Sequence, residues 1–168
     1  ILAAAARAVE RAGADFLVLC TNTMHLVAPQ IEAAVDVPFL HIADATAERI
    51  KAAGMDRIGL LGTRFTMEEE FYRGRLEQRH GLSVVTPSAD DRAVVHRVIY
   101  EELCRGKVEA AARIEYARIV GALVAAGAQG IILGCTEIGL LLRPEDSQVP
   151  LFDTAQIHAE AAARMALA

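Results

Sequence analysis

Ala12-Gly-Ala-Asp-Phe-Leu-Val-Leu-Cys20-Thr21 and Ala126-Gly-Ala-Gln-Gly-Ile-Ile-Leu-Gly-Cys135-Thr136 are two versions of one pattern, the second with one extra residue before its Cys. Each opens on a Gly suited to ending a helix, runs through a short apolar stretch the length of a buried strand, and stops at Cys-Thr. An Ala-rich helical stretch precedes each copy, Leu2 to Arg11 and Val108 to Ala126. Val37-Pro-Phe-Leu-His41 follows the first and Val149-Pro-Leu-Phe-Asp153 the second. Such self-similarity marks repeated supersecondary units. Helix and strand alternate throughout, which predicts an α/β fold with parallel sheets.

The stretch between the copies fits the same alternation. A helix is expected from about Pro29 to Val35 and another from Asp44 to Ala53, closed by Gly54. Arg57 to Leu61 reads as a strand ending in Gly62-Thr63. Met67 to Arg79 reads as a helix and Leu82 to Thr86 as a strand. Asp90 to Cys104 is a further helix, and Thr154 to Leu167 closes the chain as a helix capped by Asp153 or Thr154. The acidic run Glu68-Glu-Glu70 reads as a solvated first turn. The repeat places the domain boundaries: residues 1–42 with 150–168 form one α/β unit, and residues 43–149 the other. The second half carries a long stretch, Asp56 to Lys107, ahead of its repeat helix, whereas the first half starts at that helix. By analogy, roughly 50 to 60 residues of the first half are expected to lie N-terminal to this chain.

Composition narrows the function. With 17 Lys+Arg against 22 Asp+Glu the net charge is −5, and no basic block is present, which disfavours nucleic acid or anionic membrane as partner. Apolar residues make up 54 %, too many for a disordered chain, and no run approaches the ~18 residues of a membrane span. Three Cys in 168 residues do not make a disulfide framework and point to a reducing, cytoplasmic setting. Metal motifs, a Walker loop, Gly-x-Gly-x-x-Gly and Gly-x-Ser-x-Gly are all absent.

In parallel α/β sheets, ligands sit beyond the carboxyl ends of the strands, where the repeat puts both Cys20 and Cys135. A helix N-terminus after each would favour the thiolate, the reactive form. Two thiols on opposite faces of one carbon can remove a proton from one side and return one to the other, inverting a stereocentre without a cofactor. A redox pair is the competing use, but the two lie 115 positions apart rather than in Cys-x-x-Cys. Thr21, Asn22 and Thr23 offer donors for a carboxylate, Thr136 mirrors Thr21, and Thr63 lies where backbone amides can cradle an anion. Alternatively, each lone Thr or Asn is a turn or cap residue. Cys104 has no counterpart in the first half and reads as incidental. His25 could orient the Cys20 loop, tune its thiol, or simply pack or cap, and Glu137 could orient a substrate ammonium or the thiol.

Cys20-Thr-Asn-Thr-Met-His25, Gly134-Cys-Thr-Glu-Ile138, Gly59-Leu-Leu-Gly-Thr63 and Val149-Pro-Leu-Phe-Asp153-Thr154 closely resemble the cofactor-independent aspartate/glutamate racemase family, across nearly the whole chain. The resemblance implies two pseudo-symmetric three-layer α/β domains with a substrate cleft between them, and catalytic roles for Cys20 and Cys135. It implies an amino acid or small dicarboxylate as substrate, no cofactor, and a homodimer as a common assembly. It also makes a basic residue near the Arg105-Gly-Lys107 link a candidate partner for a substrate carboxylate, with Lys107 the first choice and Arg105 competing. Resembling enzymes racemise hydantoins, isomerise maleate or, with a single Cys, decarboxylate malonates. A non-catalytic dicarboxylate-binding module is the alternative outside enzymes. Fitting one carbon between two sulfurs at near-attack distances of about 3 to 3.5 Å predicts sulfurs roughly 7 to 8 Å apart.

Overall fold

The computed structural model describes residues 1–168. In chain order the α-helices are α1 Leu2–Arg11, α2 Ala28–Glu32, α3 Ile42–Ala52, α4 Arg64–Glu68, α5 Glu70–His80, α6 Ala89–Glu101, α7 Ala110–Ala125, α8 Ile138–Leu141 and α9 Thr154–Ala166. The strands are β1 Leu17–Val18, β2 Phe39–Leu40, β3 Arg57–Gly62, β4 Ser83–Val85, β5 Ile131–Gly134 and β6 Leu151–Asp153. Short 3-10 turns span Thr23–Val27 and Leu103–Arg105. All strand pairings are parallel: β1 with β2 in a two-stranded sheet, and a four-stranded sheet in the order β4-β3-β5-β6.

The repeat is visible in the backbone. Gly13 and Gly127 sit at φ +92° and +93°, a left-handed region that a side chain disfavours, and each lets the chain leave its helix and enter a strand. β2 pairs with β1 through Leu17 to Phe39, and β6 pairs with β5 through Ile131 to Leu151. His41 caps α3 by accepting the Ala43 amide, and Asp153 caps α9 by accepting the Ala155 and Gln156 amides. Each half therefore ends strand, capping side chain, helix.

This corrects the expected boundary at residue 150. Residues 151–153 are the edge strand of the larger sheet, because β6 must pair with β5 as β2 pairs with β1. Helix α9 packs on α3, its repeat partner, rather than only on the first unit. Two bonds still tie it to that unit: His158 Nε2 meets the Leu40 carbonyl at 2.9 Å, and Asn22 Nδ2 donates to Thr154 Oγ1 at 3.0 Å. The helix expected over 67–79 is broken at Glu69, whose extended ψ of 153° separates α4 from α5, so the acidic run straddles a break.

The main core surrounds β3 and β5. Ile58, Leu60, Leu61, Ile131, Ile132 and Leu133 are buried without alternation, as expected of parallel strands covered on both faces. Tyr116, Ile119 and Leu123 of α7 belong to the same core, and the Tyr116 hydroxyl donates to the Val95 carbonyl at 2.9 Å. Burying each large side chain contributes about 1.5–3 kcal/mol. A separate small cluster of Ala6, Leu17 and Ile31 packs α1 and α2 around β1. No helix is long and apolar enough to cross a membrane.

Candidate functional site

Three strand ends build the site. Thr63 follows β3, Cys135 follows β5, and Cys20 lies two residues beyond β1. At the centre, Gly62 and Gly134 are register partners. A Cβ on Gly134 would lie 2.7 Å from the Leu61 carbonyl oxygen, and one on Gly62 would lie 2.9 Å from the Gly134 oxygen. Only glycines allow the two strands to deliver Thr63 and Cys135 side by side.

A cavity of about 330 Å³ opens between these ends. Cys20, Thr21, Asn22 and Thr23 line one side, and Thr63, Cys135, Thr136 and Glu137 the other. Seven of the eight expected site residues thus meet in one cleft. Lys107 is the exception, and Arg105 is likewise outside. Gly106, left-handed at φ +71°, closes the 3-10 turn before Lys107, which is exposed. The residues of that segment facing the cleft are Tyr100 and Cys104, so Cys104 is a cleft residue rather than an incidental one.

Threonine hydroxyls fasten the two sides together. Thr23 Oγ1 lies 3.0 Å from Thr63 Oγ1 and 3.4 Å from Thr66 Oγ1. Thr63 also caps α4 by accepting the Thr66 amide at 3.3 Å. Thr66, buried beneath the cluster, carried no motif that would single it out. Asn22 is almost wholly buried: its Nδ2 donates to Thr154 Oγ1, which donates onward to the Leu133 carbonyl at 2.8 Å, while its Oδ1 has no partner.

His25 supports the first loop from below. Its Nε2 accepts the Ile42 amide at 3.3 Å, so the ring proton sits on Nδ1, which donates to the Thr21 carbonyl at 2.7 Å. Burial holds its pKa down to about 4, and that of neighbouring His41 to about 2. The imidazole therefore rests neutral, in the one tautomer that satisfies both bonds.

The two Cys-Thr ends differ in their third residue, Asn22 in one copy and Glu137 in the other. Cys135 Sγ donates to Glu137 Oε2 at 3.0 Å, and Thr136 Oγ1 donates to the same oxygen at 2.8 Å. Burial first, and this carboxylate second, push the Cys135 thiol up to about 12. Burial opposes the charge on Glu137, but the bonds from Cys135 and Thr136 outweigh it and hold the carboxyl below its ordinary value. The expectation that a helix N-terminus favours the Cys135 thiolate is not met. The helix after it, α8, has only four residues, and desolvation dominates. At rest this thiol is a proton donor. No grouping of His, Cys, Asp and Glu is arranged as a metal site.

A crystal structure of a candidate Asp/Glu racemase from Yersinia pestis is 57 % identical and superposes with a TM-score of 0.95, covering 99 % of this chain and 73 % of that one. An aspartate racemase homologue from Pyrococcus horikoshii is 37 % identical with a TM-score of 0.88, over the same shares. A broad specificity amino-acid racemase of Bacillus subtilis is 24 % identical over 87 % of this chain, which spans 62 % of that relative's length. The family profile described as Asp/Glu/Hydantoin racemase matches residues 1–162. With its repeat, its two Cys-Thr strand ends and this match, the chain belongs to the Asp/Glu/hydantoin racemase family.

Proposed function

We propose that the protein inverts the α-carbon of an amino acid, with Cys20 and Cys135 as acid and base on opposite faces and no cofactor. The observation that carries this reading is the placement of both thiols, at equivalent strand ends of a repeated fold, on the wall of one cleft.

In one direction a Cys20 thiolate takes the α-proton, and the electron pair left on carbon is delocalised into the substrate carboxylate. Cys135, protonated at rest, delivers its proton to the opposite face and is left as thiolate. The reverse direction exchanges the roles. The α-proton of an amino acid is very weakly acidic, so the main burden is stabilising carbanion charge with fixed donors. Hydroxyls of Thr23, Thr63 and Thr136 and the amides of the 21–23 loop suit the carboxylate. The carboxylate of Glu137 suits the ammonium. Glu137 also accepts from Cys135 at 3.0 Å and so provides a route for restoring that thiol's proton.

The test uses the intact protein in deuterated water. Cys20→Ser and Cys135→Ser should each lower racemisation by about 10²- to 10⁴-fold, the effect of losing a general acid or base. Each variant should still exchange the α-proton of the one enantiomer whose base remains. Racemisation near the parent rate in either variant would overturn the two-thiol mechanism. Absence of deuterium incorporation from any amino acid by the parent would leave a binding module.

A further inference from the structure

The peptide group between Thr21 and Asn22 faces the way His25 makes it face. The imidazole Nδ1 donates to the Thr21 carbonyl at 2.7 Å. Thr21, Asn22 and Thr23 line the cleft beside Cys20, whereas His25 lines a separate cavity behind the loop, together with His41 and Arg75. The Thr21 carbonyl is therefore drawn to the rear. A trans peptide is planar, with its N–H antiparallel to its C=O. Every peptide bond of this chain is trans. The Asn22 amide, which shares that plane, is thereby turned forward toward the cleft.

The ring is itself held from several sides. Its Nε2 accepts the Ile42 amide at 3.3 Å, at the start of α3. The His41 ring lies 4.3 Å away and the Phe39 ring 5.5 Å, centroid to centroid. An imidazole bonded at both nitrogens cannot turn without breaking a bond, so it fixes an angle as well as filling space. The second copy holds its loop differently. There the place of His25 is taken by the exposed Leu140, and the Ile138 amide donates to the Cys135 carbonyl at 3.1 Å. We infer that His25 is a positioning residue for the reaction: through the Thr21 carbonyl it aims the Asn22 backbone amide at the substrate carboxylate, where negative charge builds as the α-proton leaves. This rests on the racemase reading above.

The experiment begins with L-alanine, L-methionine, L-lysine, L-aspartate and L-glutamate in deuterated water. The one whose α-proton the intact protein exchanges fastest is then followed in two variants, each keeping one half of the imidazole. In His25→Asn the side-chain amide reaches the Nδ1 place and still donates to Thr21. In His25→Gln the carboxamide oxygen reaches the Nε2 place and accepts from Ile42, but the donor to Thr21 is gone. His25→Gln should lose about 10²-fold in kcat/KM, the scale of one fixed donor, with KM raised as well as kcat lowered. Partial unfolding lowers kcat alone. His25→Asn should recover kcat/KM to within about 10-fold of the parent. Equal activity of the two variants, or a better Gln variant, overturns the positioning role while leaving a racemase. A measurement on the unaltered protein stands beside these. Its Asn22 amide proton should move downfield in the NMR spectrum as the same amino acid saturates the cleft. An unmoved Asn22 resonance overturns the proposal even where neither variant folds. No exchange from any of the five amino acids defeats the racemase reading instead, and with it the role of His25.

Discussion

Cys135 Sγ and Glu137 Oε2 share a hydrogen bond of 3.0 Å in which the thiol is the donor. Burial is the larger reason that this thiol is held near 12, and Glu137 the second. Glu137→Gln should therefore lower the Cys135 pKa only part of the way toward its ordinary 9.0. Ultraviolet titration of the thiolate, in a background with Cys20 and Cys104 replaced by Ser, measures this directly. An unchanged titration would show that the carboxylate does not act on the thiol.

Acid should undo the fold through its buried histidines. Unfolded, His25 takes a proton around 6.5; folded, it resists until about 4. The unfolded chain thus binds more protons in that interval, and stability that is complete above about 6.5 falls as the pH drops toward 4. His25 alone accounts for about 3 kcal/mol, at about 1.4 kcal/mol per pH interval. His41, held to about 2, extends the loss to lower pH. Asp44 does not contribute within this window. Burial opposes its charge, but Arg75 and His80 overcome that and keep it ionised. Urea unfolding at pH 7 and pH 4.5 gives the difference. His25→Ala should be less stable at pH 7 and should flatten the profile.

Gly134→Ala should destabilise by about 1–3 kcal/mol, the cost of overpacking. Its Cβ meets a backbone oxygen at 2.7 Å, which cannot rotate away as a side chain would. Chemical denaturation supplies the number. A loss below about 0.5 kcal/mol would mean that β3 and β5 can spread at no cost.

Asp44 of α3 accepts two bonds from Arg75 of α5, both 2.7 Å, with each side chain 19 % exposed. Paired geometry and partial burial lift this pair above an ordinary surface contact. Asp44→Ala should cost about 2–3 kcal/mol, because Arg75 is then left half-buried with only Glu32 at 4.0 Å. A double-mutant cycle with Arg75→Ala isolates the coupling. A coupling within about 0.5 kcal/mol would place the pair with exposed contacts.

The architecture was readable where local chemistry dictates it. Gly13 and Gly127 announce two identical helix exits, and both adopt the left-handed conformation. The Cys-Thr strand ends follow from the same repeat, one at the end of each sheet, and both line one cavity. Features set by packing were not readable. Glu69 breaks a helix with neither Pro nor Gly, so nothing local marks it. Leu151-Phe152 reads as a short strand from the sequence, but its place at the edge of the larger sheet rests on long-range pairing with β5. Cys104 faces the cleft because the 3-10 turn after α6 rotates it there, which residue type alone does not reveal. His25 was visible as a candidate, but its two backbone bonds bring together Thr21 and Ile42, which no spacing rule connects.

The repeat pairs Asn22 with Glu137, so the two halves present a neutral amide and a carboxylate at matching places. For stereoinversion this asymmetry meets a thermodynamic restriction. Enantiomers are isoenergetic in water, so the equilibrium constant is one, and kcat/KM must be equal in the two directions at every pH. Whatever Glu137 contributes to kcat/KM in one direction must therefore appear equally in the other, and only the separate kcat and KM values can differ. The imbalance between the halves can set which enantiomer saturates the enzyme first and which thiol carries the resting proton. It cannot favour one hand of the product.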